Sequence, residues 1–322
     1  MDSLETLRIF QRVAELGGFT RAADRLGLPK ASVSTAVARL EASLGTQLLH
    51  RTTRRVQLTA DGEIFYQRSL DLVEDMDELH GMFRRAHQLR GRLRVDMSSG
   101  LARGYVIPQL PQFLAAHPLL QVEISSTDRI VDVVGEGFDC VIRAGTVADS
   151  SLVARPLGLM SVATCASPAY LARHGMPQTA QELEGHQLVH WVGTLGQRGS
   201  GLEYFDGRQY ATVALPGPIT VNSGDAYVAA ALAGFGIIQV PRIGVASLLA
   251  SGALIELLPD APAEPMPLTL LYPQRRHLPQ RVAACLDWLA SVLRPHLDPM
   301  PTPRCPPRFR PCAGSRSSAP AP

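Results

Sequence analysis

The chain has 322 residues, enough for two or three domains. Its 31 Lys/Arg against 29 Asp/Glu leave a formal net charge of +2, which excludes an all-basic nucleic-acid binder. The charge is unevenly spread: residues 1–60 hold nine Lys/Arg (8, 12, 21, 25, 30, 39, 51, 54, 55) and five Asp/Glu (2, 5, 15, 24, 41). A basic footprint confined to one module suits local phosphate contact. The five cysteines are an odd number and no C-x-x-C occurs, so no disulfide framework is implied. Cys140, Cys165 and Cys285 lie in apolar runs and read as buried small hydrophobes. No apolar run approaches the roughly 20 residues of a membrane span. The start Met1-Asp2-Ser3 lacks a signal-peptide pattern, so a cytoplasmic location and no membrane partner are expected.

Residues 3–16 read as a helix with Leu4, Leu7, Phe10, Val13 and Ala14 on one stripe, stopped by Gly17-Gly18. Two short amphipathic helices follow and meet at Gly27. In the first, Ala22, Ala23 and Leu26 share a face, and Thr20 is placed to cap it. In the second, Val33, Val37, Leu40 and Leu44 recur at helical spacing, with Lys30, Ser34, Thr35, Ala38 and Arg39 on the opposite face. Small polar groups and a few cations suit the major groove. Taken alone, the stretch reads equally well as an αα-hairpin with a solvated face. After Gly45, Leu48-Leu49-His50 and Val56-Gln57-Leu58 read as strands around a turn carrying Arg51, Arg54 and Arg55. Three helices and such a hairpin make a winged helix-turn-helix, whose wing arginines reach phosphates or the minor groove.

From Thr59 the pattern is helical to about Gln88. Phe65, Leu72, Leu79 and Ala86 recur every seven residues, and Ser69, Met76 and Phe83 form a second series. That is a coiled-coil seam. A helix of about 28 residues spans roughly 40 Å, and a lone apolar seam of that length wants a partner. Phe65, Leu72, Met76, Leu79 and Phe83 are the expected dimerisation residues.

Residues 1–295 resemble a LysR-type transcriptional regulator. The likeness is most specific in Phe19-Thr20-Arg21-Ala22-Ala23, Val33-Ser34 through Arg39-Leu40-Glu41, Leu44-Gly45, Leu48-Leu49, Arg51, Leu58-Thr59 and Gly62. It departs from that family at Pro29-Lys30-Ala31-Ser32, where a Ser-Gln-Pro-Ala type opening is usual. Lys30 replaces an amide able to pair with adenine, which leaves the base preference open there. The resemblance implies double-stranded DNA as partner, a homodimer or homotetramer, a small-molecule effector and contact with RNA polymerase. Thr20, Arg21, Lys30, Ser32, Ser34, Thr35, Arg39, Arg51, Arg54 and Arg55 are the expected DNA-binding residues.

Residues 91–295 alternate short strands and helices, including strands at 93–97, 122–125 and 140–143 and a helix around Ile130–Val134. Strand–helix–strand order implies a parallel sheet with covered faces. The stretch resembles the family's effector domain, two Rossmann-like lobes of the periplasmic-binding-protein kind. The expected fold is therefore α/β: a winged helix-turn-helix (1–59), a linker and dimerisation helix (60–90) and an effector domain (91–295). Lobe I takes 91–160 and 267–295, and lobe II takes 161–266. Residues 296–322 are Pro-rich, carry Arg304, Arg308, Arg310 and Arg316, and read as a disordered tail.

Ligands of open α/β lobes sit at the carboxyl ends of the strands. That places Ser98, Ser99, Leu101, Thr127, Asp128, Arg143, Ala144 and Gly145 on one side of a cleft and Val192, Gly193, Ser223, Gly224, Asp225 and Pro241 on the other. Two helices begin there, and helix N-termini favour anions, so the expected effector is a small organic anion. Asp225 would repel it unless it points away or caps its helix. No metal spacing is seen among the histidines, and no G-x-S-x-G elbow occurs. Gly234-Phe235-Gly236 ends a helix rather than opening one, the reverse of the dinucleotide order. No cofactor, no catalytic residue and no enzyme activity are expected. The competing reading is a small-molecule binding protein of the periplasmic-binding-protein kind without regulatory DNA binding, and residues 1–90 argue against it.

Overall fold

The computed structural model describes residues 3–51, 56–81, 88–145, 151–274 and 278–300. Helices α1 (Ser3–Leu16), α2 (Phe19–Leu26) and α3 (Lys30–Leu44) pack around Phe10, Val13, Ala22, Ala23, Val33, Ala36 and Val37. The alanines let α2 and α3 approach closely. Gly27 and Gly45 end α2 and α3 at φ of 66° and 69°, a region that side chains avoid. A hairpin of β1 (Leu49–Arg51) and β2 (Val56–Leu58) follows, pairing Leu49 with Leu58 and Arg51 with Val56. The Glu41 carboxylate accepts the Leu48 and Leu49 amides at 3.0 and 3.1 Å, fixing this wing to α3.

Helix α4 (Ala60–Gly81) is capped by Thr59, whose hydroxyl accepts the Gly62 amide at 2.9 Å and donates to the Gln47 carbonyl at 2.7 Å. The root of α4 packs on its own DNA-binding domain. Gln11 donates to the buried Ser69 hydroxyl at 3.1 Å, and Phe65 meets Phe10 edge-on at 5.5 Å between ring centroids. Three sequence expectations change here. Thr20 lies inside α2, whose N-cap is Gly18, so it caps nothing. Leu44 is 44% exposed, and Ala36 takes its place in the core. Phe65 and Ser69 belong to the intrachain contact rather than to a free seam.

The effector domain opens with β3 (Arg90–Met97), α5 (Ser99–Leu101), a π-helical turn (Ala102–Val106), α6 (Ile107–Ala116), β4 (Leu119–Ser126), β5 (Cys140–Ala144) and β6 (Leu152–Met160). Then come β7 (Val162–Ala166), α7 (Pro168–His174), β8 (His190–Trp191), β9 (Leu202–Phe205), β10 (Tyr210–Val213), β11 (Thr220–Val221) and α8 (Gly224–Leu232). The chain continues through β12 (Ile238–Pro241), α9 (Arg242–Ala250), β13 (Ile255–Leu257), β14 (Met266–Pro273) and α10 (Gln280–Leu293). The first lobe is a five-stranded sheet in the order β4-β3-β5-β14-β6. Leu93, Val95 and Met97 of β3 alternate into its core against Cys285, Leu286 and Leu289 of α10. The second lobe is built on β12-β7-β13 and the parallel pair β11-β8. Cys140, Cys165 and Cys285 are buried free thiols; burial pushes the Cys165 thiol up to about 12.

The expected parallel pairing holds for β4-β3-β5 and for β11-β8 but not for the rest. β14 returns from the second lobe and runs antiparallel to β5 and β6, and β12 and β13 run antiparallel to β7. The helix expected around Ile130–Val134 is also absent. There the Asp132 carboxylate accepts the Gly135 amide at 2.7 Å and the Glu136 carboxylate accepts the Asp132 amide at 3.1 Å. Carboxylates that take backbone amides hold turns at the expense of helix.

In the second lobe Tyr170 stacks on His174 and meets the buried His186, its hydroxyl 3.1 Å from Nδ1. Burial, then the neighbouring His174, push the His186 pKa below its usual 6.5. The unfolded chain therefore binds a proton more readily than the fold does. Stability is complete above the unfolded value and falls as pH drops through it toward the folded value. Melting of the effector domain is expected to decline between about pH 7 and pH 5. His186→Gln should flatten that decline; an unchanged profile would exclude His186 as its source.

Candidate functional site

Helix α3 has two unlike faces. Val33, Ala36 and Val37 are buried, whereas Lys30, Ala31, Thr35, Ala38 and Arg39 are exposed, with Ser32 and Ser34 partly so. The exposed face offers hydroxyls, cations and methyl groups but nothing bulky enough to bar a groove. Pro29 precedes the helix in an extended conformation and gives no side-chain cap; its carbonyl accepts the Ser32 and Val33 amides. On α2, Thr20 and Arg21 are exposed, and Arg21 donates to the Gly17 carbonyl at 3.1 Å, tying down the α1–α2 turn. Arg51 closes β1 at the foot of the wing; Arg54 and Arg55 lie outside the described residues. The helix and the wing strands thus form one unit, held by Glu41.

Along its length α4 carries apolar side chains that its own chain leaves wholly or partly uncovered: Ile64 is 64%, Leu72 60% and Met76 38% exposed. Val73, about 100° round the helix from Leu72, is buried. Leu79's side chain and Phe83 lie outside the described part.

Between the lobes lies a cleft of about 510 Å³. Ser98, Ser99, Leu101, Thr127, Arg143 and Asp225 line it; Gly145, Gly193 and Ser223 do not. Gly145 instead turns the chain at φ 87°, its amide on the Pro267 carbonyl. Neither Ser98 nor Ser223 caps its helix through the side chain. Met160, Val162, Val189, Trp191, Tyr227 and Met266 supply an apolar wall, the usual make-up of a small-molecule site.

The polar groups of the cleft are already engaged with one another. Arg143 pairs with Asp96, which is fully buried and also accepts the Thr127 hydroxyl at 3.1 Å. Asp128 reaches from the first lobe to the second, where its carboxylate accepts the Gly224 amide at 2.7 Å. Arg103 stands 3.4 Å from Asp225 across the same gap, and the Tyr105 hydroxyl donates to the Ile243 carbonyl at 2.9 Å. These contacts correct the expectation of an organic anion at the start of α8. A carboxylate of the chain itself occupies that position. Asp225 does point to a cation, but to Arg103. Sequence reasoning left out Arg103, Trp191, Glu203, Gln239 and Glu264. Asp128, expected beside Thr127 at the end of β4, does line the cleft, but its bond to the second lobe was not foreseen.

Residues 4–63 match the model of the bacterial regulatory helix-turn-helix protein, lysR family, and residues 86–294 that of the LysR substrate binding domain. The chain is 46% identical to the HTH-type transcriptional regulator YhjC of Escherichia coli K12, over 92% of this chain and all of that protein. It is 31% identical to the HTH-type transcriptional activator AaeR of the same organism, over 90% of this chain and 94% of that one. Among solved structures, it resembles CrgA, a LysR-type transcriptional regulator from Neisseria meningitidis (TM-score 0.56, 30% identity, 90% and 98% of the two chains). It also resembles AphB, the Vibrio cholerae virulence activator (TM-score 0.54, 26% identity, 90% and 99%). With both family models matched and the helix, wing and two-lobed cleft in place, the chain belongs to the LysR family: it is a DNA-binding transcriptional regulator with an effector-binding domain, of a family that binds small-molecule effectors and forms oligomers.

Proposed function

We propose that the protein binds an interrupted palindromic operator through paired copies of α3 and the wing, and that a small molecule held between the lobes sets its regulatory state. The observation that carries this reading is the division of α3 into a buried apolar face and an exposed face bearing Lys30, Thr35 and Arg39. A two-fold dimer presents two such helices, which require half-sites in opposite orientation. Ser34, Thr35 and Arg39 contact bases or nearby phosphates, with Thr20, Arg21, Lys30 and Ser32 beside them; Arg51, Arg54 and Arg55 contact phosphates. The chain divides at residues 59 and 90 into DNA-binding domain, linker helix and effector domain, and crosses between the lobes near Ser161, between β6 and β7, and again before β14. Membership of a family of transcriptional regulators supports a cytoplasmic role without catalysis.

Nuclease footprinting of the intergenic DNA beside the protein's own gene tests this, with two protected half-sites of inverted orientation as the expected result. Arg39→Ala should weaken specific binding by about 1–3 kcal/mol if Arg39 reads a base, and flatten the salt dependence by about one unit if it holds a phosphate. A footprint without two-fold symmetry, or binding indifferent to salt, would sink the reading.

A further inference from the structure

The charged groups of the interlobe cleft do not balance. Two arginines line it, Arg103 and Arg143, against four carboxylates, Asp128, Asp225, Glu203 and Glu264. Arg143 is held by the buried Asp96 and donates to the Ile142 carbonyl, and Arg103 faces Asp225 in an exposed pair. Of the two helix starts in the cleft, that of α8 holds Asp128; that of α5, at Ser99, is three residues long before the π-helical turn. Among the described residues of the wall each arginine already faces a carboxylate, and an incoming carboxylate would add to the wall's negative charge.

Glu203 and Glu264 have no cationic partner among the described residues. Glu203 is half-buried at the start of the β9–β10 hairpin, where its backbone is fixed from both sides. Its amide donates to the Gln239 side chain at 2.9 Å, and the Gln239 amide group donates back to its carbonyl at 2.5 Å. The Gln239 amide group is anchored in turn on the Thr164 hydroxyl at 2.9 Å. Burial, then the charge of Glu264, push the Glu203 carboxyl above its usual range. A carboxylate whose ionisation is opposed by burial and by a neighbouring carboxylate gains from a cation placed near both. The wall beside them is apolar and aromatic, with Trp191, Tyr227, Val189 and Met266. Aromatic faces also attract cations.

We propose that the effector is an organic cation: an apolar body of a size for the cleft, carrying an ammonium or amidinium group that lies against Glu203 and Glu264. This rests on the cleft being the effector site, and it replaces the anionic ligand that helix N-termini alone would suggest. Asp128, Asp225 and Asp96 serve as internal counter-charges that hold the lobes and Arg143 in place. Selectivity then comes from the uncompensated pair on the far wall.

Three ligands of one body and different charge test it: benzylammonium, benzyl alcohol and benzoate, titrated calorimetrically into the full-length protein at neutral pH. The ammonium should bind best and benzoate worst, with about tenfold between successive members. The double change Glu203→Gln and Glu264→Gln keeps the shape of both side chains and should erase the preference for the ammonium over the alcohol. Val228→Trp, which adds bulk to the α8 wall of the cleft, should weaken all three. If benzoate binds best in the unaltered protein and Val228→Trp abolishes it, the cleft stands as the site but its charge preference has been misread. Ammonium binding that ignores Val228→Trp overturns the location as well. Failure of all three ligands to bind at millimolar concentration overturns the proposal, while the operator footprint remains a separate test of the DNA-binding reading.

Discussion

Replacing Leu72 and Met76 together by glutamate is expected to leave each chain folded but monomeric, with operator binding lost. In a single chain Leu72 is largely and Met76 partly in water, 60% and 38% exposed, so glutamate there costs the isolated fold little. The same positions in a helix-mediated dimer would bury two carboxylates per chain without partners, at several kcal/mol each. Dimerisation and operator binding should fail together, because two half-sites on one assembly gain a factor of about 10² to 10⁴ over one. Light scattering reports the mass and a gel shift the binding. An intact dimer in the double variant would show that another surface joins the chains. The change in circular dichroism on heating should match that of the unaltered protein, which separates lost association from lost folding.

The same helix shows what periodicity can and cannot disclose. A repeat of seven identifies an apolar face on α4, but the partner of that face is invisible in the pattern. Phe65 and Ser69 fit the repeat as well as Leu72 and Met76 do. They are nevertheless covered by Phe10 and Gln11 of their own chain. The helices α1 to α3 were legible because small residues and glycines left few other ways to pack them. The orientation of β14 was not, since an apolar run reads alike in parallel and antiparallel sheets. Ile130–Val134 misled for a local reason, its carboxylates taking the amides that a helix needs. In the cleft, strand ends pointed to Ser98, Ser99, Thr127, Arg143 and Asp225. They gave no hint that Asp128 crosses to Gly224, 96 residues further on, and so no hint of how the cleft is charged. Helix N-termini could be counted from the sequence, but their occupancy could not.

Gly62→Val is expected to remove operator binding altogether while the effector domain still folds and binds its ligand. A Cβ at residue 62 would fall inside the van der Waals radius of the Leu48 carbonyl oxygen. That oxygen cannot move aside. It accepts the Thr59 amide at 3.0 Å, and the amides of Leu48 and Leu49 are held by Glu41. Nor can residue 62 withdraw without giving up the Thr59 cap at 2.9 Å, a loss of about 1 kcal/mol. Overpacking against fixed backbone adds roughly 1–3 kcal/mol, a large share of the stability of a domain of this size. The position joins three parts at once: α4, the wing and, through Glu41, the end of α3. Separating them displaces the wing from the groove-facing helix even where the helices survive. A gel shift should show no specific complex, and calorimetric melting should show an early transition for the DNA-binding domain with the later transition of the effector domain unchanged. Operator affinity within about twofold of the unaltered protein would mean that α4 does not press on Leu48 in solution, and that wing and recognition helix are positioned independently of it.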